Sequence, residues 1–103
     1  MARLGDIAKA CKSKNAGPFE LTLDIMFGDA ATFERVRATG VINAALIARL
    51  YNVAESAVVF TEFPPAYAWK ATIERRIASG AVGDTDVYGA QQHAPLLDVQ
   101  IPL

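Results

Sequence analysis

The stretch LTLDIMF, residues 21–27, alternates between large apolar side chains and a second set that includes Thr22 and Asp24. Successive side chains of a β-strand point to opposite faces of its sheet, so a period of two indicates a strand with one apolar face. Residues 21–27 therefore predict a central strand, and the elements on either side are interpreted relative to it.

Helical signals follow this strand. Asp29 is placed to cap a short helix that carries Phe33 and Val36 three positions apart and that ends at Gly40. Asn43 is placed to cap a second helical segment. Its apolar positions fall on one stripe: Leu46, Ile47, Leu50 and Tyr51. The pattern predicts two helices, with a single kinked helix as the alternative.

The remaining strands are predicted from Val- and Phe-rich or alternating stretches. Residues 57–63 form one, Pro64 and Pro65 force a turn because they cannot donate to a ladder, and apolar alternation resumes afterwards. The resumed alternation comprises Tyr67, Trp69, Ala71 and Ile73. A last strand is expected to contain Leu97, Val99 and Ile101 and to be limited by Pro102.

Length and composition restrict the classes of protein to consider. The length of 103 residues suits one domain. Because 52% of the residues are hydrophobic and 20% are charged, the composition favours burial in a core or an interface and argues against disorder. The formal net charge of -1 and the scattered basic residues make nucleic acid an unexpected partner.

The N-terminal sequence and the cysteine count bear on location. Cys11 is the only cysteine, so one chain holds no internal disulfide and no cysteine-based zinc cluster. Residues 1–15 lack the apolar run and cleavage site of a secretory signal, and no stretch has the length of a membrane-spanning helix. A soluble cytoplasmic protein, without membrane association, is expected.

The face of the sheet opposite the helices is predicted to be polar. With the odd positions turned toward the helices, eight residues share it: Thr22, Asp24, Met26, Lys70, Thr72, Glu74, Asp98 and Gln100. We expect this face to be hydrated or covered by a partner. Lys70 is placed between possible partners Asp24 and Asp98, either as exposed ion pairs or as part of an active site.

The first candidate site is the polar stretch KSKNAGPF, residues 12–19, which we interpret as a loop. Its substrate-binding candidates offer two cations, a hydroxyl, an amide and a close backbone approach: Lys12, Lys14, Ser13, Asn15 and Gly17. A carboxylate or phosphate suits these groups, although the Walker spacing GxxxxGK[ST] is absent. The alternative is a solvated turn closed by the Asn15 side chain.

The second candidate site is the loop GDTDVYGAQQHAP, residues 83–95. Its further substrate-binding candidates are polar: Asp84, Thr85, Tyr88, Gln91 and Gln92. Asp84, Asp86 and His93 are possible metal ligands, but no HExxH and no pair of histidines at helical spacing occurs, so no intrinsic metal site is predicted. Asp84 and Thr85 are equally ordinary helix caps.

A catalytic hypothesis joins the two stretches. His93 would act as general acid or base, Asp84 or Asp86 would orient its ring, and Lys14 would bind the substrate anion. The alternative is a structural hydrogen-bonding role for His93. Cys11 has no evident activating partner and is expected to be a half-buried thiol. The sequence identifies no cofactor.

Two long segments carry a family resemblance: LGDIAKACKSKNAGPFELTLDIMF, residues 4–27, and GDTDVYGAQQHAPLLDVQIP, residues 83–102. They resemble the bacterial family of domains of unknown function DUF4387, which accompanies acyclic terpene utilisation (AtuA-like) proteins. The resemblance implies an α+β fold, a ferredoxin-like sandwich with a mainly antiparallel sheet and helices on one face. The second crossover helix of that fold would lie near 83–93, where glycines leave room for a short helix at most, so a long polar C-terminal loop is expected.

The function implied by the resemblance is that of an accessory subunit. Family members resemble the small ferredoxin-like domain fused to the C-terminus of some AtuA-like proteins and have no assigned reaction. We therefore expect a hetero-oligomer with an AtuA-like protein, in which this chain completes a pocket for a small carboxylate or acyl-CoA. The alternatives are a stand-alone homo-oligomeric enzyme of lyase or hydratase type and an anion-binding module.

Overall fold

The computed structural model describes residues 1–17, 19–74 and 93–103 of the chain. Its longer elements are β2 (Ala10–Asn15), β3 (Glu20–Met26), α2 (Ala30–Thr39), α3 (Ala44–Tyr51), β4 (Val59–Phe63) and β5 (Ala68–Glu74). Its shorter ones are β1 (Ala2–Arg3), α1 (Leu4–Ile7), α4 (Ala94–Leu97) and β6 (Gln100–Ile101). None of the helices in these ranges is long and apolar enough to span a bilayer.

The central strand predicted from the alternating stretch is confirmed as β3. It lies inside a four-stranded sheet of order β2-β3-β5-β4, in which all neighbouring strands are antiparallel. Its odd residues Leu21, Leu23 and Ile25 are buried in the same hydrophobic core as Phe33 and the α3 side chains. The two longer helices therefore cover the odd face of β3.

The fold is α+β with an antiparallel four-stranded sheet, and it is consistent with the expected ferredoxin-like class. Because β3 and β4 are each antiparallel to β5, which lies between them, they run parallel to one another and are linked through α2 and α3. This is a split β-α-β unit, the characteristic half of a ferredoxin-like sandwich.

The fourth strand of the sheet is β2, a strand that the sequence analysis interpreted as a loop. Residues 12–15 belong to it, and Ala10 through Asn15 pair with β3 in continuous antiparallel register. The Ala16 amide donates to the Glu20 carbonyl at 3.0 Å and closes the turn. The loop prediction was wrong because β2 is an edge strand with exposed lysines, so its apolar periodicity is weak.

The predicted last strand is shorter than expected and lies elsewhere. Leu97 belongs to α4, which begins with Pro95 in its first turn, and β6 pairs with β1 in a separate two-stranded sheet. The Asp98 carboxylate accepts from Arg3 Nε at 2.9 Å, and the register partners of Lys70 are Asp24 and Thr61, so Asp98 is not the strand neighbour of Lys70 that was predicted. The strand does end before Pro102, as predicted.

The helix boundaries confirm the capping signals. The Asp29 carboxylate accepts from the Thr32 amide at 2.7 Å, and Gly40 ends α2 with a left-handed φ of 69°. The Asn43 side chain accepts from the Leu46 amide at 2.8 Å and donates to the Gly40 carbonyl at 2.8 Å. Since Asn43 satisfies groups on both sides of the break, α2 and α3 are two helices rather than one kinked helix.

The proline turn between β4 and β5 is also confirmed. A short 3₁₀ turn covers Pro64–Ala66, and Tyr67 follows it in the left-handed region with a φ of 52°. The Tyr67 carbonyl accepts from the Phe27 amide at 2.9 Å, which ties the end of β3 to the hairpin.

An aromatic cluster forms the core between the sheet and α2. The ring centroids of Phe33 and Trp69 lie 4.6 Å apart, and those of Phe27 and Trp69 lie 5.8 Å apart in an edge-on arrangement. All three side chains are buried. Close aromatic pairs of this kind add to the stabilisation from apolar burial.

We expect Phe33→Ala to lower the free energy of unfolding by about 3–5 kcal/mol, because it leaves a cavity against Trp69. The measurement is urea unfolding followed by the fluorescence of Trp69, the only tryptophan in the chain. Phe19→Ala is the matched control; its side chain is 62% exposed, so a change within about 0.5 kcal/mol is expected. Equal losses in the two variants would contradict this account of the core.

Candidate functional site

The open face of the sheet is the face turned away from α2 and α3. The register places the side chains of this face in rows across the four strands. One row contains Ala10, Met26, Ala68 and Phe63; the next contains Lys12, Asp24, Lys70 and Thr61; a third contains Lys14, Thr22, Thr72 and Val59. The predicted polar face is confirmed for its members on β3 and β5, whereas Asp98 and Gln100 belong to the terminal two-stranded sheet.

Charges alternate along the middle row of the open face. Lys12 is the register partner of Asp24, and Asp24 is the register partner of Lys70. Directly opposed residues of antiparallel strands have Cβ atoms about 4.5–5.5 Å apart, within reach of long charged side chains. Asp24 is therefore flanked by a lysine on each side.

A cavity of about 540 Å³ opens at the β2 side of this face. Lys12, Ser13, Lys14, Asp24 and Met26 line it. Residues two apart in a strand share a face, so Lys12 and Lys14 present their ammonium groups on the same side. Two cations against one carboxylate leave the lining with an excess of positive charge, which suits an anion.

The backbone beside Lys14 is fixed by a buried neighbour. Thr22 is the register partner of Lys14, is only 4% exposed, and donates its hydroxyl to the Lys14 carbonyl at 3.3 Å. This hydrogen bond holds β2 against β3 in addition to the backbone hydrogen bonds between the two strands. The Lys14 side chain thus extends from a positioned backbone.

The side chains of the first predicted site lie on two different faces of the sheet, because residues 12–15 belong to β2 and not to a loop. Lys12 and Lys14 project from the open face, whereas Ser13 and Asn15 share the register of Leu23 and Leu21 on the helix-covered face. Gly17 lies in the turn with a φ of 119°, a conformation in which other residues are strained. The structure therefore brings the two lysines together with Ser13, Asp24 and Met26 at one cavity, whereas Asn15 and Gly17 are not part of its lining.

The second predicted site lies mostly outside the described residues. Asp84, Thr85, Asp86, Tyr88, Gln91 and Gln92 all fall in that part. Of this site, His93 lies within the described residues and is half-buried. Its carbonyl accepts from the Leu96 amide at 2.9 Å, and the helix α4 that follows it packs against α1 and α3. The catalytic combination of Lys14, Asp86 and His93 stays a prediction.

Cys11 and Tyr51 are two half-buried titratable residues on the helix-covered side of the sheet. Cys11 is half-buried, and burial raises the pKa of its thiol. Burial also raises the pKa of the Tyr51 phenol, and a negative charge on the nearby Cys11 would raise it further. Both groups are therefore neutral near pH 7, which fits the expected unreactive thiol.

Metal ligands do not cluster in the described parts of the chain. No group of three or more His, Cys, Asp or Glu side chains there is arranged to hold a metal ion. The chemistry that the cavity lining itself offers is ionic binding by Lys12 and Lys14, with Met26 as an apolar surface beside them.

A comparison with protein families gives a match over residues 4–100 to a domain of unknown function, DUF4387. The chain belongs to this family. Neither the curated proteins nor the solved structures compared with it give a match. The family assignment from residues 4–27 and 83–102 is thereby confirmed, and it brings no assigned reaction with it.

Sequence reasoning missed Asp24 and Met26 as members of the cavity. Both lie on the even side of β3, and they join the lysines only because β2 pairs with β3 in the observed register. The signal that was available is the period of two in residues 11–14, where Lys12 and Lys14 alternate with the small side chains Cys11 and Ser13.

We expect the Cys11 thiol to react more slowly with a disulfide reagent in the folded chain than in the unfolded chain at pH 8. The raised pKa lowers the fraction of thiolate, which is the reacting form. The rate against pH should have its midpoint above that of the urea-unfolded chain. Cys11→Ser, which has no thiol, gives the blank, and coincident midpoints would show that burial does not control this thiol.

Proposed function

We propose that this DUF4387 chain is a small accessory subunit of a hetero-oligomer with an AtuA-like protein. In this proposal its lysine-lined cavity completes a pocket for a small carboxylate or an acyl-CoA in organic-acid or terpenoid catabolism. A cytoplasmic location goes with this role. The observation that carries the proposal is the pair of lysines, Lys12 and Lys14, beside the apolar Met26 in one open cavity.

The chemistry of the cavity supports an anion with an apolar part. Ammonium groups bind carboxylate and phosphate oxygens through charge-assisted hydrogen bonds. Met26 offers a flexible apolar surface that suits an acyl chain. Asp24 lies between Lys12 and Lys70 in the register and would keep the Lys12 ammonium oriented when no anion is bound.

The openness of the cavity supports completion by a partner. Ligand pockets of small molecules are usually concave and enclose most of the ligand, whereas this cavity lies on the outer face of a sheet. A partner placed against the open face would supply the missing wall and exclude water from the contacts between the lysines and a bound anion. The reacting groups would then come mainly from the larger subunit.

The first test of this function is co-expression of the chain with the AtuA-like protein of the same genome, followed by light scattering on the purified species. We expect a stable mixed complex whose mass exceeds that of the AtuA-like protein by a multiple of 11.0 kDa. Separate elution of the two proteins at all mixing ratios would remove the subunit proposal.

Reversing one charge on the open face of the sheet, and one on the exposed side of the helices, tests which surface binds the partner. Lys70→Glu changes the open face, and Arg49→Glu makes the same change of charge on the exposed side of α3. We expect the first variant to weaken the mixed complex at least about tenfold and the second to leave it unchanged. Equal weakening would place the interface elsewhere.

Anion binding is tested on the mixed complex with succinate, acetyl-CoA and inorganic phosphate as probes in calorimetry. Lys12→Gln and Lys14→Gln each remove one charge-assisted contact and should weaken binding roughly tenfold to a hundredfold. Arg49→Gln is the matched control. Binding that survives both lysine variants would exclude the cavity as the anion site, even if the complex itself forms.

A further inference from the structure

The two edges of the sheet differ in how they are protected. Natural edge strands avoid uncontrolled pairing by carrying lysines, prolines, bulges or a cover. The β2 edge has Lys12 and Lys14, both exposed. The β4 edge, with the sequence VFTEF, has no lysine, and within the described residues its pairing is to β5 alone.

Exposed apolar side chains lie on this second edge. Val59 is 65% exposed and Phe63 is 56% exposed, and both point to the open face from β4. They flank Thr61, which is also exposed. A regular strand with exposed apolar side chains, whose outer edge pairs with no other strand among the described residues, is a template for pairing with a new strand.

The β4 sequence is self-complementary about Thr61. In an antiparallel pair of two copies with Thr61 opposite Thr61, Val59 lies opposite Phe63 on the open face, and this contact occurs twice. On the other face Phe60 lies opposite Glu62. Cross-strand pairs of an aromatic and a β-branched residue, and of two threonines, stabilise antiparallel strands.

The negative charge of Glu62 favours the register centred on Thr61 over the register centred on Glu62. Centring the pair on Glu62 would oppose two carboxylates directly, which is destabilising. With Thr61 at the centre, each Glu62 faces Phe60 of the other copy, and its carboxylate already has a cation, since Arg37 Nε lies 2.7 Å from Glu62 Oε1. The pairing ends at Phe63, because Pro64 begins the 3₁₀ turn and has no amide hydrogen.

We propose that the β4 edge is an interface for a second copy of this chain, paired antiparallel about Thr61. The two sheets then join into one of eight strands, with β4 of each copy at the centre and the lysine-lined cavities near the two outer edges. This pairing is independent of the proposed function, because it uses the edge opposite the cavity. A ladder of five residues is small, so a Kd weaker than about 1 µM is expected.

The first experiment measures the mass of the purified chain by light scattering and sedimentation over a concentration series. We expect the mass to rise from 11.0 kDa toward twice that value. Val59→Lys and Phe63→Lys should each weaken the dimer at least about tenfold, because each places two charges at the symmetric interface. Phe19→Lys is the matched control, since Phe19 is equally exposed but lies in the β2–β3 turn, and its dimer should be unchanged.

A crosslink tests the register itself. Opposed residues of an antiparallel pair have Cα atoms about 4.5–5.5 Å apart, which suits a disulfide. Thr61→Cys should form a covalent dimer under mild oxidation, whereas Lys70→Cys, in the same row but on the inner strand β5, should not. Circular dichroism of each variant verifies folding.

Three results would overturn the proposal. The first is a wild-type chain that remains at the mass of one copy at every concentration. The second is a dimer that Phe19→Lys weakens as much as Phe63→Lys does. The third is crosslinking of Thr61→Cys no greater than that of Lys70→Cys.

Discussion

The pairing of β3 with β2 on one side and with β5 on the other is the constraint on which the rest of the structure depends. Seven consecutive residues of β3 have register partners on β5, and six residues of β2 continue the sheet outward. Because side chains alternate, this register fixes at once which residues enter the core and which reach the open face. A shift by one residue would bury Asp24 beneath α2 and α3 and expose Leu23.

The same register creates the candidate site. Lys12 and Lys14 are two residues apart on an edge strand, which by itself is an ordinary solvated arrangement. Their pairing with Asp24 and Thr22 gives them a fixed backbone and an acidic neighbour, and it places Met26 at the end of the same cavity. The site is thus a property of strand pairing rather than of a loop, and its precision comes from the buried Thr22 and the core beneath it.

Local signals in the sequence predicted β3, both helix caps and the proline turn, since each depends on residues close together in the chain. The caps at Asp29 and Asn43 satisfy amides three positions away, and Gly40 supplies the left-handed φ that ends α2. The signals failed at both termini, where pairing decides the structure. Polar residues 12–15 form a strand because β3 lies beside them, and Leu97 is helical because Pro95 starts a turn before it. The joining of Lys14 with Asp24 required knowing that β2 follows β3 in the sheet, which no local pattern contains.

The two edges of the four-stranded sheet carry exposed side chains of different chemistry: lysines on β2, and apolar residues on β4. At the β2 edge, the exposed lysines Lys12 and Lys14 disfavour pairing with a second strand and suit the proposed anion. At the β4 edge, Val59 and Phe63 would gain from losing water, and a strand from a second copy would pair with the backbone groups that face away from β5. Since the open face runs continuously from one edge to the other, an assembly through β4 would leave the cavities accessible to a larger partner. The separation of an apolar edge from a charged one would therefore allow the proposed self-association and the proposed anion binding to use different edges of the same sheet.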